Sequence, residues 1–381
     1  MNLWKSDVHK KCGHLISTDS FVKIFLMYNM GMKKIKVAIN GLGRIGRAFL
    51  KLALSRTELE VVAINELGEI ENMAYLLNYD SVYGRSGLMV KGSKSVLEIK
   101  GKKVTYISEK DPAKLPWKEL DIDVVIESTG FFASAEKSRA HIEAGAKRVV
   151  ITAPLKEPSQ TDADLTRTNA EGKTILMGVN EDELATCKIS SNASCTTNAA
   201  SPLISILDEV IGVEKAVLNT VHAYTATQAL VDSPAGKKGL REGRAAAVNM
   251  IPSSTGAASA VTKAFTKLEG LFDGISIRVP VPIGSIADVT FIAKHATSVE
   301  EINKILRGAA AAPHWQGIFS ATDEELVSSD IIGRTEGSIA DLSMTRVVGG
   351  NLVKVLAWYD NEMGYANTLV AHVIKAGEQL K

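Results

Sequence analysis

The chain has 381 residues, 45% of them hydrophobic and 23% charged, with a formal net charge of +1. That balance is ordinary for a globular protein of about two domains and gives no global pull toward nucleic acid or an anionic membrane. Three cysteines, Cys12, Cys187 and Cys195, are too few for a disulfide framework and read as reduced and cytoplasmic, while no apolar run approaches the ~20 residues of a membrane helix.

Residues 1–32 differ from the rest. The stretch 21–28 is apolar but short, Lys23 interrupts it, and no small-x-small cleavage pattern follows. It reads as a disordered extension, or as sequence upstream of a start at Met30 or Met32. The β-branched run 35–40 predicts a buried strand, followed by the glycine turn Gly41-Leu42-Gly43-Arg44-Ile45-Gly46. Apolar spacing predicts a helix over 47–54, and 59–65 predicts a second strand, completing a β-α-β unit. A helix around 73–77, a hairpin over 96–106 turning at Gly101, strands at 123–127 and 148–152 and a helix over 136–144 extend the pattern. Together they predict a doubly wound, Rossmann-type α/β domain over 33–194. The C-terminal stretch 361–381, helical from 368 to 380, is expected to complete it.

Beyond this, strands are expected at 216–222, 274–279 and 287–292. Few helices separate the last two, so 195–360 is expected to be an α+β catalytic domain with a mainly antiparallel sheet. The loop from His222 to Met250, rich in Gly, Lys and Arg, is long enough to be functional or interfacial.

Each glycine of the turn has its own task. Gly41 permits the turn, Gly43 lets the backbone approach a pyrophosphate, and Gly46 allows close packing of helix on strand. The helix start at Arg44 and Ile45 offers amides and partial positive charge to phosphates. Glu66, about 20 residues beyond the last glycine, is placed to accept a ribose 2′-hydroxyl. Its carboxylate would repel a 2′-phosphate, which favours NAD over NADP. The alternatives are a glycine turn kept for packing and a solvated acid at a strand end.

Cys195 lies in Ser191-Asn192-Ala193-Ser194-Cys195-Thr196-Thr197-Asn198, and His222 lies one helix and one strand further on. A histidine partner and a helix N-terminus both raise the thiolate fraction of a cysteine. Apolar spacing predicts that helix over 196–211, with Pro202 implying a later start or a bend. The residues alone leave open a buried structural thiol at Cys195 and a satisfied structural histidine at His222. Cys187, with no hydroxyl-rich turn around it, is given no role. No metal site is read.

These two motifs, with Ile251-Pro252-Ser253-Ser254-Thr255-Gly256-Ala257-Ala258 and Trp358-Tyr359-Asp360-Asn361-Glu362, resemble the phosphorylating glyceraldehyde-3-phosphate dehydrogenase family from about Lys33 to the C-terminus. The resemblance implies Cys195 as nucleophile, His222 as its base, a hemithioacetal and then a thioester on sulfur, and hydride passing to NAD. It implies Thr225 and Arg278 as holders of the substrate's phosphate. Ser194, Thr196, Arg241, Thr255 and Gly256 would receive the attacking inorganic phosphate, and Lys110, Thr152 and Asn361 would touch the cofactor. It also implies a homotetramer.

Several positions depart from the family pattern. Asp is usual where Glu66 stands, and a relative acting on erythrose 4-phosphate often has Glu there. That relative usually lacks the His-x-x-Thr kept by His222 and Thr225, so glyceraldehyde 3-phosphate is the expected substrate and erythrose 4-phosphate the alternative. Phe is more usual at Leu42 and Trp at Met363. The linker 156–173 looks long, with Thr166, Thr168 and Asn169 marking a surface loop. A cofactor-binding interaction or RNA-binding protein is the alternative of a different class. Near-neutral charge and the lack of an aromatic-basic tract weigh against it.

Overall fold

The computed structural model describes residues 33–156, 172–235 and 239–380. The expected extension 1–32 and the loop residues Thr166, Thr168 and Asn169 lie outside them.

The β-branched run at the start becomes strand β1 (Ile35–Asn40), followed by α1 (Arg44–Ala53), β2 (Leu59–Asn65) and α2 (Ile70–Asn78). The hairpin region gives β3 (Lys91–Ser93), β4 (Val96–Ile99) and β5 (Lys102–Ile107). Then come β6 (Val124–Glu127), α3 (Ala135–Glu143), β7 (Arg148–Ile151), β8 (Gly172–Thr174) and β9 (Ile189–Ser191). They form one sheet in the order β8-β9-β7-β6-β1-β2-β5-β4-β3. From β8 to β5 every neighbouring pair is parallel, and the β3–β4–β5 edge is antiparallel. The strand order reverses beside β1, so the crevice of a doubly wound sheet falls at the carboxyl ends of β1 and β6.

Helix α1 starts at Arg44, earlier than the apolar spacing places it. Gly43 is its extended N-cap, and only a glycine at 46 lets the first turn sit on the strand: a Cβ there would lie 2.2 Å from the Gly41 carbonyl oxygen.

The second sheet is reached through α4 (Cys195–Ile211) and β10 (Val213–Ala223). Pro202 lies inside α4, which neither starts late nor breaks there. The helix packs Leu203, Ile204, Ile206 and Leu207 into the catalytic-domain core, and that burial outweighs the ~3 kcal/mol cost of an interior proline. After it come β11 (Ile251–Ser254), α5 (Ala257–Ala264), β12 (Phe272–Val279), β13 (Ser285–Ala293), α6 (Val299–Ala311), β14 (Phe319–Thr322), β15 (Ser338–Val348) and β16 (Leu352–Tyr359).

The sheet order is β11-β12-β10-β13-β16-β15-β14. Its pairs are antiparallel except β10–β12 and β14–β15. Strands β12 and β13 do not pair with each other, as their closeness in sequence suggests they would, because β10 lies between them. The last helix, α7 (Met363–Glu378), turns back to the first sheet. Its Leu369, Val370, Val373 and Ala376 share a core with Ile35, Val37 and Phe49.

Candidate active site

Cys195 directly follows the first sheet. Strand β9 runs parallel to β7, so its carboxyl end lies on the same side as the glycine turn after β1. The chain leaves β9 through Ala193, whose φ of 54° is the left-handed conformation that L-residues avoid. Two side chains hold it there. The Ser191 Oγ accepts from the Ala193 amide at 2.9 Å, and the Tyr365 hydroxyl donates to the Ala193 carbonyl at 3.0 Å. Ser194 then caps α4, its Oγ accepting from the Thr197 amide at 3.1 Å. Cys195 is therefore the first residue of α4, half-buried at the positive end of the helix.

His222 lies near the end of β10 and is buried. Its Nε2 is 3.4 Å from Cys195 Sγ. Its Nδ1 is 2.7 Å from the Ala223 carbonyl and 2.6 Å from Arg278 Nη1. That last contact is set by topology, because His222 and Arg278 are register partners on the parallel strands β10 and β12. Tyr359 closes the back of the site. Its ring stands edge-on to the imidazole with centroids 5.8 Å apart, and its hydroxyl bonds Thr196 Oγ1 at 2.9 Å and Thr220 Oγ1 at 2.8 Å.

Burial pushes the Cys195 thiol up, with Arg278 and the Thr196 amide pulling it partly back. Burial, then the Arg278 charge, pushes His222 down to about 3. Burial thus favours the uncharged form of both groups, while Arg278 and the Thr196 amide oppose it at the sulfur. At His222 the loss of water and the guanidinium at Nδ1 act in the same direction.

The other expected residues divide. Thr225 ends the same strand region, with its amide and hydroxyl on Gln228 Oε1 at 2.7 and 3.3 Å. Gln228 in turn bonds the buried Glu242, which also accepts from Ser253 Oγ at 2.6 Å. This brace fixes the first part of the long loop. Thr255 and Gly256 stand at the N-terminus of α5, where Thr255 Oγ1 accepts from the Ala257 amide at 3.1 Å and a Cβ on Gly256 would meet only open space. Arg241 is exposed on the turn Leu240–Gly243. Thr196 is buried and engaged with Tyr359. Asn361 is buried, accepting from Ser285 Oγ at 3.1 Å, and Ser285 Oγ accepts from the Ala223 amide at 3.1 Å. Asn361 is thereby tied to the strand end that carries His222.

A cleft of about 970 Å³ opens at the carboxyl edge of the first sheet, lined by Gly41, Gly43, Glu66, Lys110, Thr129 and Phe132 among others. Its glycines fit a dinucleotide. A Cβ on Gly41, at φ +95°, would lie 2.8 Å from the backbone after β6, whereas one on Gly43 would project into free space. The first turn of α1 carries no acid, and no side chain caps it, so its amides are available to a pyrophosphate. Glu66 accepts from Leu42 N at 2.7 Å, Leu67 N at 2.8 Å and Gly68 N at 3.1 Å, and its remaining lone pairs can take ribose hydroxyls. Arg44 turns its side chain away to Glu362 and Asp80. Burial works against its charge, but these ion pairs hold its pKa above the ordinary value. Only its backbone remains to face the cleft. Thr152 is half-buried at the end of β7, its amide on the Glu127 carbonyl at 3.0 Å.

Sequence reasoning gave no role to Tyr359, Tyr365 or Glu127. The buried Glu127 carboxylate accepts from Asn40 Nδ2 at 2.6 Å and the Thr129 amide at 2.9 Å, and it lies 3.0 Å from His141 Nε2 beneath the cleft floor. Tyr359 stood inside a quoted motif. Nothing local marked Tyr365, whose spacing fits any apolar helix face.

The model for the NAD binding domain of glyceraldehyde 3-phosphate dehydrogenase matches residues 35–135, and the model for its C-terminal domain matches 194–361. Glyceraldehyde-3-phosphate dehydrogenase 2 of Streptomyces avermitilis is 42% identical over 349 residues, covering 91% of this chain and 99% of the relative. The Clostridium pasteurianum enzyme of the same name is 44% identical over 339 residues, covering 88% of this chain and 96% of the relative. Glyceraldehyde-3-phosphate dehydrogenase 1 of Trichormus variabilis is 43% identical, with 89% and 96% covered.

Proposed function

The chain belongs to the glyceraldehyde-3-phosphate dehydrogenase family, and on that premise we propose that it oxidises glyceraldehyde 3-phosphate with NAD and inorganic phosphate, releasing 1,3-bisphosphoglycerate. The observation that carries this reading is the 3.4 Å approach of Cys195 Sγ to His222 Nε2, with Cys195 following a strand that ends on the same carboxyl edge of the first sheet as the glycine-turn cleft.

Cys195 adds to the aldehyde carbon as its proton passes to His222 Nε2, which protonates the carbonyl oxygen to give a hemithioacetal. His222 then removes that hydroxyl proton, because a hydride leaves more readily from an anionic tetrahedral carbon. NAD, when bound, is the hydride acceptor, and Gly41, Gly43, the amides at Arg44, Ile45 and Gly46, and Glu66, Lys110, Thr152 and Asn361 are the residues that would hold it. The resulting thioester on Cys195 preserves the oxidation energy until inorganic phosphate attacks and sulfur departs. Arg278 and Thr225 hold the substrate's phosphate. Ser194, Thr196, Arg241, Thr255 and Gly256 receive the attacking one.

The cofactor-binding unit is taken as 33–194 with the C-terminal helix, and the catalytic unit as 195–360. Exposed Leu230, Val231, Leu240, Val248 and Met250 on the segment after His222 support a homotetramer. Among the described residues no helix is long and apolar enough to cross a membrane, and the sparse cysteines favour a cytoplasmic setting.

The test is NAD reduction with glyceraldehyde 3-phosphate, with and without phosphate, and with erythrose 4-phosphate in its place. Phosphate-dependent turnover of the three-carbon substrate, abolished by Cys195→Ser, is expected. Preference for the four-carbon aldehyde would move the assignment to the erythrose-4-phosphate reading.

A further inference from the structure

Three register partners stand side by side at the carboxyl ends of adjacent parallel strands: Glu127 on β6, Asn40 on β1 and Asn65 on β2. All three are buried, and they lie where the strand order reverses. Their polar atoms form one chain with fixed ends. At one end the Trp117 indole N–H donates to His141 Nδ1 at 3.0 Å, so the ring carries its proton on Nε2, 3.0 Å from Glu127 Oε2. At the other end the Glu109 amide donates to Asn65 Oδ1 at 2.9 Å. Asn65 therefore turns its Nδ2 to the Glu109 carbonyl at 2.9 Å and to Asn40 Oδ1 at 2.7 Å. Asn40 in turn presents its Nδ2 to Glu127 Oε2 at 2.6 Å.

Donors thus run inward from both ends and meet at residue 127. Its other oxygen also meets donors, the Thr129 amide at 2.9 Å and the Thr129 hydroxyl, which itself accepts from the Phe131 amide at 3.1 Å. Only a carboxylate accepts on both sides. A glutamine of the same shape would set its NH2 either against Thr129 or against Asn40 and His141. If Asn40 reversed to meet it, Asn65 would have to reverse as well, and both bonds to the Glu109 backbone would be lost. Those two bonds clasp the segment 109–112, which lines the cleft together with Glu66, Thr129 and Phe131.

We propose that Glu127 is a positioning residue for the dinucleotide: as the acceptor on which both hydrogen-bonded runs end, it fixes the sense of the Asn40 and Asn65 amides and so holds the 109–112 and 129–131 walls where the adenosine end of NAD lies beside Glu66. It acts through these residues, being itself buried beneath the cleft floor. The inference rests on the cofactor role proposed above for that cleft.

The test is calorimetric NAD titration of the intact protein and of Glu127→Gln, which keeps the shape and removes the second acceptor. NAD affinity is expected to fall about tenfold, while kcat at saturating NAD and KM for glyceraldehyde 3-phosphate change by less than about twofold. Charge alone predicts the opposite sign, since removing a negative charge beneath an anionic ligand tightens binding. Tighter or unchanged affinity overturns the proposal, and so does a parallel loss in kcat and in KM for the aldehyde, which would mark a general structural defect. Adding Asn40→Asp to Glu127→Gln restores an acceptor-only group one step along the chain at unchanged net charge, and Asn65 can again donate to it. The double variant is expected to regain at least about threefold of the lost affinity. A double variant that binds no better than Glu127→Gln would overturn the control by amide sense. If Glu127→Gln does not fold, Asn65→Ser removes the clasp and leaves the carboxylate. It should show the same loss of NAD affinity, and unchanged affinity there overturns the proposal. Binding needs no aldehyde, so the result is independent of which substrate is turned over. Wild-type protein that fails to bind NAD would fault the proposed cofactor, whereas wild-type binding matched by Glu127→Gln would fault this inference alone.

Discussion

Glu66 Oε2 accepts the Leu42 amide at 2.7 Å, so the acid that ends β2 also holds the glycine turn that ends β1. Its other oxygen takes the amides of Leu67 and Gly68. The carboxylate therefore has two tasks, bracing the turn and presenting negative charge to a ribose. Glu66→Ser is expected to weaken NAD binding about tenfold, raise the relative rate with NADP, and cost about 1–3 kcal/mol for the amides left without an acceptor. Steady-state rates with both cofactors and urea melts check this. An unchanged NADP to NAD ratio would remove Glu66 from cofactor selection.

The glycines of the turn separate fold from function. A Cβ on Gly46 would meet the Gly41 carbonyl oxygen at 2.2 Å, while one on Gly43 would meet nothing within 4 Å. Gly46→Ala should destabilise the protein by about 3 kcal/mol. Gly43→Ala should cost under about 1 kcal/mol of stability and still lower NAD affinity at least about tenfold, because the methyl group occupies the path of the pyrophosphate. Calorimetric NAD titration beside thermal melts distinguishes the two. Equal loss of binding and stability in both variants would contradict this division.

The first domain was legible because its signals are local. The β-branched run 35–40, the three glycines and an acid at a strand end all fall in one β-α-β unit. The second was less so. Strands β15 and β16 meet at Gly349 and Gly350, both at positive φ, yet Asp341, Ser343, Thr345 and Arg346 blur the apolar alternation of β15. The pairing of β10 with β12 joins residues 56 apart, and no periodicity encodes such a choice. His222 and Arg278 were each named as site residues, but their contact depends on that pairing. The part of the His222 shift that the guanidinium adds to burial follows from that pairing, and so was hidden.

Tyr365 reaches from α7 to the Ala193 carbonyl at 3.0 Å and is the external support for a left-handed residue two positions before the nucleophile. Tyr365→Phe leaves that buried carbonyl without its donor, at a cost of about 1–3 kcal/mol. The turn should then relax and shift Cys195 relative to His222, lowering kcat several-fold while KM for NAD changes little. Ala193→Gly removes the strain and should partly restore kcat in the double variant. No rescue would mean that Tyr365 acts elsewhere.

His372 supplies the pH dependence of stability. It is fully buried on α7, with Nε2 2.8 Å from Ser190 Oγ and Nδ1 3.1 Å from Asn192 Oδ1, and Asn192 in turn accepts from Asn198 inside α4. Burial, with Arg148 adding, pushes it down to about 3, and His222 is likewise near 3. In the unfolded chain both titrate near ~6.5. Between those values the unfolded state binds protons that the folded state refuses, so stability rises with pH. It is complete above about pH 6.5 and is lost on acidification, by up to ~1.4 kcal/mol per pH unit for each histidine. His372→Gln keeps a donor and an acceptor but cannot titrate. It should lower stability at about pH 7.5 and reduce the difference between about pH 7.5 and about pH 5 relative to wild type, measured by urea unfolding at fixed protein concentration. The same difference in both proteins would mean that the folded His372 takes up its proton as readily as the unfolded one, and that burial does not hold the ring neutral.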